Sequence, residues 1–151
     1  ILDCMPLIEK IKENEKILDM GSGGGFPGLL IAILRPNCEI HLLEKSQKKC
    51  YFLNKTIHKL GLLNAKTLNI NIKPNNKIGA YNLITSRAFS STENTLNLSK
   101  TNLEIGGRYI LLKGREEKIT EELESLDTNK YKYEIIKIQT PSGTITRTSS
   151  E

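Results

Sequence analysis

The sequence of 151 residues is poor in the side chains that bind metals or form cross-links. It has only two histidines and three cysteines, and Cys4, Cys38 and Cys50 lack the paired spacing of zinc ligands. We therefore expect neither a metal site nor a disulfide. An odd number of cysteines without such spacing is typical of a reducing compartment, so we predict a cytoplasmic protein.

Long hydrophobic runs are also missing. The longest, Leu29 to Leu34, is far shorter than the ~20 apolar residues that a membrane-spanning helix needs. No signal peptide is recognisable either. The chain starts with Ile1 rather than methionine, so we expect a natural N-terminal portion to precede it. These features predict a single monomeric domain without a membrane segment.

Positive charge prevails only modestly. The chain has 22 lysines and arginines against 17 aspartates and glutamates, which modestly favours a polyanionic partner. Lys48, Lys55 and Lys59 fall on one face of a predicted helix, opposite its apolar residues. A solvated helix face is the simpler interpretation of these lysines, and an RNA contact is the alternative.

Glycine, by contrast, is concentrated in one place. The strand-like residues Ile17 to Met20 run into Gly21-Ser-Gly-Gly-Gly25, and Pro27 marks the start of an apolar helix ending at Leu34. Glycines let the backbone take left-handed angles and approach a ligand closely. The free N–H groups at the start of the helix favour an anionic or hydrogen-bonding ligand. We expect the helix itself to be buried on nearly all sides.

Two cofactor classes fit this strand, turn and helix. Gly23-x-Gly25-x-x-Gly28 matches the dinucleotide fingerprint of NAD enzymes. Asp19-Met-Gly-Ser-Gly-Gly-Gly25 matches the loop of S-adenosylmethionine (SAM) methyltransferases, in which an acidic residue precedes three alternating glycines. Glu44 closes the next predicted strand, where either cofactor would present its ribose hydroxyls. A tight turn without a ligand is the third interpretation, although it would not need so many glycines.

Strand and helix patterns alternate along the rest of the chain. This alternation predicts a three-layer α/β fold with a mostly parallel sheet and right-handed crossovers. We divide the chain into a leading helical segment 1–14, a Rossmann-like core 15–139 and a polar C-terminal tail 140–151. The predicted helices are 2–12, 27–34, 47–60, 92–103 and 116–126, and the predicted strands are 17–20, 39–44, 65–70, 81–85, 108–113 and 131–139.

Ligands of parallel α/β sheets bind at the carboxyl ends of the strands, which places Arg87 and Lys113 on the same rim as Glu44. Thr85-Ser-Arg-Ala88 departs from the Asn/Asp-Pro-Pro-aromatic sequence of amine methyltransferases. No cysteine ends a strand, where cytosine C5 methylation would need a thiolate. Neither histidine stands where a dehydrogenase needs a proton donor. The chemistry that fits is attack by a nucleophile with a free lone pair, such as a ring nitrogen.

Four motifs are specific when taken together: Ile17-Leu-Asp-Met-Gly-Ser-Gly-Gly-Gly-Phe-Pro-Gly28, Leu43-Glu-Lys-x-x-Lys-Lys-x-x-Phe-Leu53, Thr85-Ser-Arg-Ala-Phe89 and Leu112-Lys-Gly114. They resemble the GidB/RsmG family, bacterial methyltransferases that place the methyl group of SAM on N7 of a guanine in 16S rRNA. The resemblance extends from about residue 1 to about residue 139. It implies the class I SAM-dependent methyltransferase fold, SAM as cofactor and the small ribosomal subunit as partner.

The resemblance also implies roles for individual residues. Glu44 matches the family's ribose acid, and Ile72 and Lys73 match the pair beside the adenine. Arg87 and Lys113 would act at the reacting atoms, and these two cations would contact the RNA together with Arg147. With the glycine turn included, the expected cofactor site consists of Asp19, Gly21, Gly23, Gly25, Phe26, Glu44, Ile72, Lys73 and Arg87.

The sequence departs from the family pattern in three places. Asn71-Ile-Lys73 stands where many members have Arg-x-Glu, so a cation and an acid are lost from the cofactor rim. The family's N-terminal helical portion is almost wholly absent, and we expect no apolar strand after Arg147. The leading hypothesis is therefore an rRNA methyltransferase domain. The alternatives are an NAD-dependent oxidoreductase and a SAM- or RNA-binding remnant without catalysis.

Overall fold

The computed structural model of the protein describes residues 5–87, 89–113, 133–140 and 143–150, with side-chain surroundings for residues 5–87 and 89–112. The helices are α1 (Met5–Ile8), α2 (Gly28–Leu34), α3 (Gln47–Leu60) and α4 (Thr92–Ser99), and a 3-10 turn covers Lys100–Asn102. The strands are β1 (Lys16–Met20), β2 (Glu39–Leu43), β3 (Ala65–Leu68), β4 (Tyr81–Arg87), β5 (Leu103–Lys113), β6 (Tyr133–Thr140) and β7 (Gly143–Ser150).

The described strands form one sheet in the order β3-β2-β1-β4-β5-β7-β6. The first five are parallel, and β7 runs antiparallel to both β5 and β6. From β1 the chain builds outward to β2 and β3 on one side and later to β4 and β5 on the other. The carboxyl end of β1 is therefore the switch point at which such sheets bind ligands. The predicted α/β fold with a mostly parallel sheet is confirmed.

Apolar side chains on both faces of the sheet form the core. Ile17 and Leu18 are neighbours on β1, and both are completely buried, one in each of two hydrophobic clusters. The cluster around Ile17 includes side chains of α1, α2 and α3, whereas the cluster around Leu18 includes Leu96 of α4. An inner parallel strand buried on both faces explains why β1 is apolar without alternation.

Helix α3 begins and ends where the sequence predicts. The Oγ atom of Ser46 accepts a hydrogen bond from the N–H of Lys49 at 3.2 Å, and Gly61 closes the helix with a φ of +64°. Cys50 and Leu53 face the core, which fixes the helix against the sheet. Its opposite face is exposed.

Several boundaries differ from the predictions. Helix α1 has four residues within 5–8, and α4 stops at Ser99 because the 3-10 turn and β5 follow it. Helix α2 is buried on one side only, since Ile33 and Leu34 are 47% and 38% exposed. The predicted helix 116–126 lies outside the described residues.

Residues 143–150 are not a tail. Gly143–Ser150 forms β7, which pairs with β5 on one side and β6 on the other. The prediction of a polar tail over residues 140–151 is therefore wrong for residues 143–150, which form a strand of mostly polar sequence. The segment lacks the apolar alternation of a half-buried strand, but Thr144, Thr146 and Thr148 are β-branched and suit extended backbone.

Among the described residues, no helix has the length and apolarity required to cross a membrane. The same residues contain no group of three or more histidines, cysteines or carboxylates arranged to hold a metal ion.

Candidate active site

The glycine turn after β1 adopts the left-handed angles that its sequence predicts. The φ angles are +68° at Gly21, +41° at Gly23 and +95° at Gly25. The N–H groups of Gly21 and Ser22 donate to the carbonyl of Leu43 at 2.9 and 3.0 Å, which ties the turn to the end of β2. Side chains at these angles would be strained, so the turn requires glycine.

Asp19 lies beneath this turn and is 1% exposed. Its Oδ2 atom accepts hydrogen bonds from the N–H of Gly28 and the hydroxyl of Ser22, both at 3.0 Å. Its Oδ1 atom has no hydrogen-bond partner among the described residues. Burial raises the pKa of Asp19 to about 7, against the lowering effect of those two bonds. Asp19 thus joins strand, turn and helix α2 from inside the protein.

Gly28 is required for space rather than for its backbone angles. A Cβ atom there would lie 2.2 Å from Cδ2 of Leu42 and 2.5 Å from Oδ2 of Asp19. The first turn of α2 therefore packs directly against β1 and β2. The last glycine of the dinucleotide-like fingerprint serves helix–sheet packing here, and packing does not discriminate NAD from SAM.

Glu44 follows β2 and is 6% exposed. Its Oε1 atom accepts the N–H of Gly23 at 2.9 Å, and its Oε2 atom accepts the N–H of Ser46 at 2.8 Å. Each carboxylate oxygen has further lone-pair capacity. The backbone therefore fixes the carboxylate and leaves it able to accept hydrogen bonds from a ligand.

A cavity of about 430 Å³ opens at the carboxyl ends of the strands. It is bounded by the glycine turn, the ends of β2 and β4, the loop after β3, and the first turns of α3 and α4. The phenyl ring of Phe89 packs against Gly21, where a Cβ atom would lie 2.4 Å from ring atom Cδ1. The lining residues are Gly21, Leu43, Glu44, Lys45, Lys49, Ile70, Asn71, Ile72, Arg87, Phe89, Ser90, Asn94 and Leu98.

Comparison with known protein families gives a match over nearly the whole chain. Residues 1–148 match the model of the GidB family, described as rRNA small subunit methyltransferase G. The chain belongs to this family. It is 40% identical over 133 residues to ribosomal RNA small subunit methyltransferase G 1 of Bdellovibrio bacteriovorus, covering 87% of the chain but only 62% of that relative. It is 36% identical over 141 residues to the Brachyspira hyodysenteriae methyltransferase G, covering 92% of the chain and 68% of that relative.

Solved structures show the same fold at low sequence identity. The tRNA methyltransferase TrmK of B. subtilis aligns with a TM-score of 0.77 at 15% identity, covering 99% of this chain and 64% of TrmK. The ribosomal protein L11 methylase of Lactobacillus delbrueckii aligns with a TM-score of 0.74 at 15% identity, covering 99% of this chain and 77% of that one. These similarities establish the methyltransferase fold predicted for a GidB family member.

The structure brings together part of the cofactor site expected from the GidB resemblance. Gly21, Glu44, Ile72 and Arg87 all line the cavity. Five other residues of the expected site do not line it: Asp19, Gly23, Gly25, Phe26 and Lys73. Asp19 and Gly23 are instead linked to the site through their hydrogen bonds, to Gly28 and Glu44 respectively.

The remaining two cations of the predicted site are placed by backbone register. Arg87 on β4 lies opposite Leu112 on β5, and Leu112 in turn lies opposite Arg147 on β7. Lys113, the next residue of β5, pairs with Thr146. The three cations predicted for the RNA side therefore belong to neighbouring positions on three adjacent strands.

Sequence reasoning did not single out the residues that follow β4. Phe89 lines the cavity together with Ser90 and Asn94, and the amide of Asn94 donates to the Ser90 hydroxyl at 2.7 Å. Phe89 belongs to one of the GidB-like motifs, which was the signal available for it. Asn94 reaches the cavity only because α4 turns back over the rim, a tertiary feature without a local sequence pattern.

Proposed function

We propose that the chain is the catalytic domain of a SAM-dependent methyltransferase that modifies N7 of a guanine in 16S rRNA of the small ribosomal subunit. Its membership of the GidB family and the names of its relatives support the reaction class. The observation that carries the proposal is the cavity at the switch point, which joins the glycine turn, Glu44 and Arg87. The family match gives no support to an NAD-dependent oxidoreductase. A cytoplasmic monomer without a bound metal is part of the proposal.

The residues present fit a nucleoside cofactor. A volume of about 430 Å³ is in the range of ligand pockets. Glu44 offers fixed acceptors of the kind that vicinal hydroxyls bind. Ile70 and Ile72 supply apolar surface of the kind on which a planar base packs, and Ile72 is 6% exposed.

When bound, SAM supplies a methyl group activated by a positively charged sulfur. A guanine N7 has a lone pair and no proton, so its alkylation requires no general base. The contribution of the protein is then alignment and charge. Glu44 binds the ribose, and Arg87 holds the methionine carboxylate or an oxygen of the target nucleotide with its bidentate fork. Lys113 and Arg147 attract the RNA, and Phe89 limits where the base can lie.

Two measurements test this proposal. Calorimetric titration with S-adenosylhomocysteine and with NAD should show binding of the first compound only. Radiolabelled SAM should then transfer its methyl group to small-subunit RNA, and nucleoside analysis should find 7-methylguanosine. Cofactor binding without any transfer would identify the non-catalytic remnant, and NAD binding would overturn the assignment.

Arg87→Lys tests the mechanism. Lysine keeps the positive charge but loses the bidentate geometry, so we expect the variant to fold and to lose most of its methyl transfer. The measurement is single-turnover methylation of small subunits by both proteins at neutral to mildly alkaline pH, where neither should show the pH dependence of a general base. Arg35→Lys is the matched control, because Arg35 follows α2 and bonds the carbonyl of Ile8. Equal rates for wild type and Arg87→Lys would assign Arg87 a structural role.

A further inference from the structure

One stretch of the chain carries positive charge without any negative charge. Residues 45–92 contain nine of the 22 lysines and arginines and none of the 17 aspartates and glutamates. The rest of the chain, with 13 cations and 17 carboxylates, is net negative. The overall excess of +5 therefore understates how strongly this stretch favours a polyanion.

Helix α3 carries the most regularly spaced of these positive charges. Its core-facing side is fixed by Cys50 and Leu53, and the side opposite carries Lys48, Lys55 and Lys59, all exposed. These three lysines recur at the spacing of one helix face, so they form a straight basic row along α3. Lysines that alternate with carboxylates are typical of a solvated helix face, and α3 has no carboxylate.

Two aromatic rings flank the basic row. Tyr51 is 63% exposed and Phe52 is 54% exposed, and their ring centroids lie 5.8 Å apart in an edge-to-face arrangement. The Nζ atom of Lys55 lies 6.0 Å from the centroid of the Tyr51 ring. Proteins bind single-stranded nucleic acids through exposed aromatic rings beside lysines, because bases stack on the rings while phosphates contact the cations.

Further lysines connect the start of the row to the candidate active site. Lys45 and Lys49 line the cavity, and Phe52 lies three residues beyond Lys49 on the same helix. An RNA strand that leaves the cavity can therefore follow α3 without crossing a negatively charged residue of the helix. Charge also argues against a protein segment as the occupant, since an apolar helix lying across both rings would bury Lys48 and Lys55 between them.

We infer that the outward face of α3, formed by Lys48, Tyr51, Phe52, Lys55 and Lys59, binds unpaired RNA next to the target nucleotide. Tyr51 and Phe52 stack on bases, and the lysines contact phosphates. The inference rests on the proposed function for the identity of the nucleic acid. It goes beyond that function by stating that the RNA next to the target nucleotide is unpaired and runs along α3.

The test measures the affinity of the chain for a short unpaired RNA oligonucleotide and for a duplex of the same length. We expect the unpaired strand to bind more tightly. Tyr51→Ala and Phe52→Ala should each weaken it by about fivefold to a hundredfold, the loss typical of one stacked base. Phe52→Leu should weaken it as well, because leucine keeps apolar surface but cannot stack. Lys48→Gln and Lys55→Gln should each reduce the slope of log affinity against log salt by about 0.7.

Two controls lie outside the proposed surface. Leu63→Ala removes a fully exposed apolar side chain, and Lys66→Gln removes an exposed cation on β3, so both should bind RNA as wild type does. S-adenosylhomocysteine affinity should be unchanged in every variant, which keeps this test separate from that of the proposed function. Wild-type RNA affinity in Tyr51→Ala, Phe52→Ala and Phe52→Leu would overturn the inference, as would tighter binding of the duplex. Self-association of the chain that the two alanine variants abolish, with RNA affinity unchanged, would assign the rings to a protein contact instead.

Discussion

Glu15 and Glu44 are buried carboxylates at opposite ends of the parallel strands, and the protein holds them differently. Glu15, just before β1, is bonded by both terminal nitrogens of Arg108, one of them 2.8 Å from Oε1, and by the N–H of Lys12 at 2.7 Å. Glu44, just after β2, accepts only backbone N–H groups among the described residues, those of Gly23 and Ser46. The charge of Glu15 is neutralised by a guanidinium, whereas the charge of Glu44 stays available to a ligand.

The same contrast extends to the neighbouring groups. At the amino end, Arg108 also donates to the carbonyl of Lys10 at 2.7 Å, and His41 shares a 2.7 Å hydrogen bond with the hydroxyl of Tyr81. At the carboxyl end, one oxygen of Asp19 has no hydrogen-bond partner within the part of the chain that the structure describes. Bonds at the amino end stabilise the fold, whereas at the carboxyl end the carboxylate of Glu44 lines the cavity and has capacity for a ligand. The two ends should therefore respond differently to substitution.

The largest effect is expected at the amino end, for Glu15→Ala. Removal of the carboxylate leaves the partly buried guanidinium of Arg108 without its counter-charge, which should lower the free energy of unfolding by about 3–5 kcal/mol. Urea unfolding measures this loss. S-adenosylhomocysteine affinity should stay as in wild type, because Glu15 is at the opposite end of the strands from the cavity.

Glu13→Ala is the matched control, since Glu13 is an exposed carboxylate with one surface bond to Asn37.

Low pH should destabilise the wild-type protein in the same way as Glu15→Ala does. Burial alone would raise the pKa of Glu15, but bonds from Arg108 and Lys12 outweigh burial and lower it. The stabilisation is therefore present above the ordinary pKa of 4.5 and lost as pH falls through the lower folded value. A loss of cofactor affinity in Glu15→Ala, at a temperature where the variant is folded, would contradict the view that the amino end contributes to stability and not to binding.

Asp19 should show the opposite pH dependence. Its pKa is raised from 3.8 to about 7, so the folded protein holds this proton more tightly than the unfolded chain. Its contribution to stability is present below pH 4 and is lost as pH rises through about 7, by an amount on the order of 4 kcal/mol. Asp19→Asn should remove this dependence, because its amide cannot ionise. Unfolding curves between pH 4 and 8 are the measurement, and identical slopes for both proteins would contradict the expectation.

A smaller effect is expected for Glu44→Ala at the carboxyl end. Loss of two charge-assisted acceptors should weaken S-adenosylhomocysteine about tenfold, or roughly 1.4 kcal/mol. Glu39→Ala is the matched control, because Glu39 is the exposed first residue of β2, and Glu44 follows the other end of that strand. Calorimetry compares the two variants. Equal affinities for both would mean that Glu44 only braces the glycine turn.

The smallest effect is expected for Lys73→Ala. Lys73 is exposed, its N–H bonds Asn76 at 2.9 Å, and it does not line the cavity, so any contribution to adenine binding comes through the backbone. We expect affinity for S-adenosylhomocysteine to fall by no more than about twofold. Ile72→Ala, which removes buried apolar surface from the cavity, is the comparison and should weaken binding more. A larger loss for Lys73→Ala than for Ile72→Ala would show that the Lys73 side chain contributes more to cofactor binding than Ile72 does.

Much of the fold could be predicted because local signals decided it. Pro27 and Ser46 mark the starts of α2 and α3, and Gly61 ends α3 as predicted. Strand β7 could not be predicted, because its polar sequence is stabilised by pairing with β5 and β6 rather than by an apolar face. The exposed Ile33 and Leu34 were misread for a related reason, since an apolar helix gives no sign of which side the core covers.

In the candidate site, too, some residues could be predicted from local sequence and others could not. Gly21 and Glu44 follow strands and Arg87 ends one, so all three could be placed on the rim from the rule for parallel sheets. Asn94 could not, because its position depends on how α4 folds back across the rim. The role of Gly28 in packing also required the structure, since only the positions of Leu42 and Asp19 show that a methyl group has no room.

The position of β7 has a consequence during protein synthesis. It lies between β5 and β6, although the ribosome makes it after both. Strand β6 has no other neighbour among the described strands, so it takes its place in the sheet only after residues 143–150 have emerged. Until then, β5 presents an unpaired edge that other chains can bind. A nascent chain stalled before residue 143 should therefore aggregate through β5, even though the five parallel strands and the glycine turn have already been made.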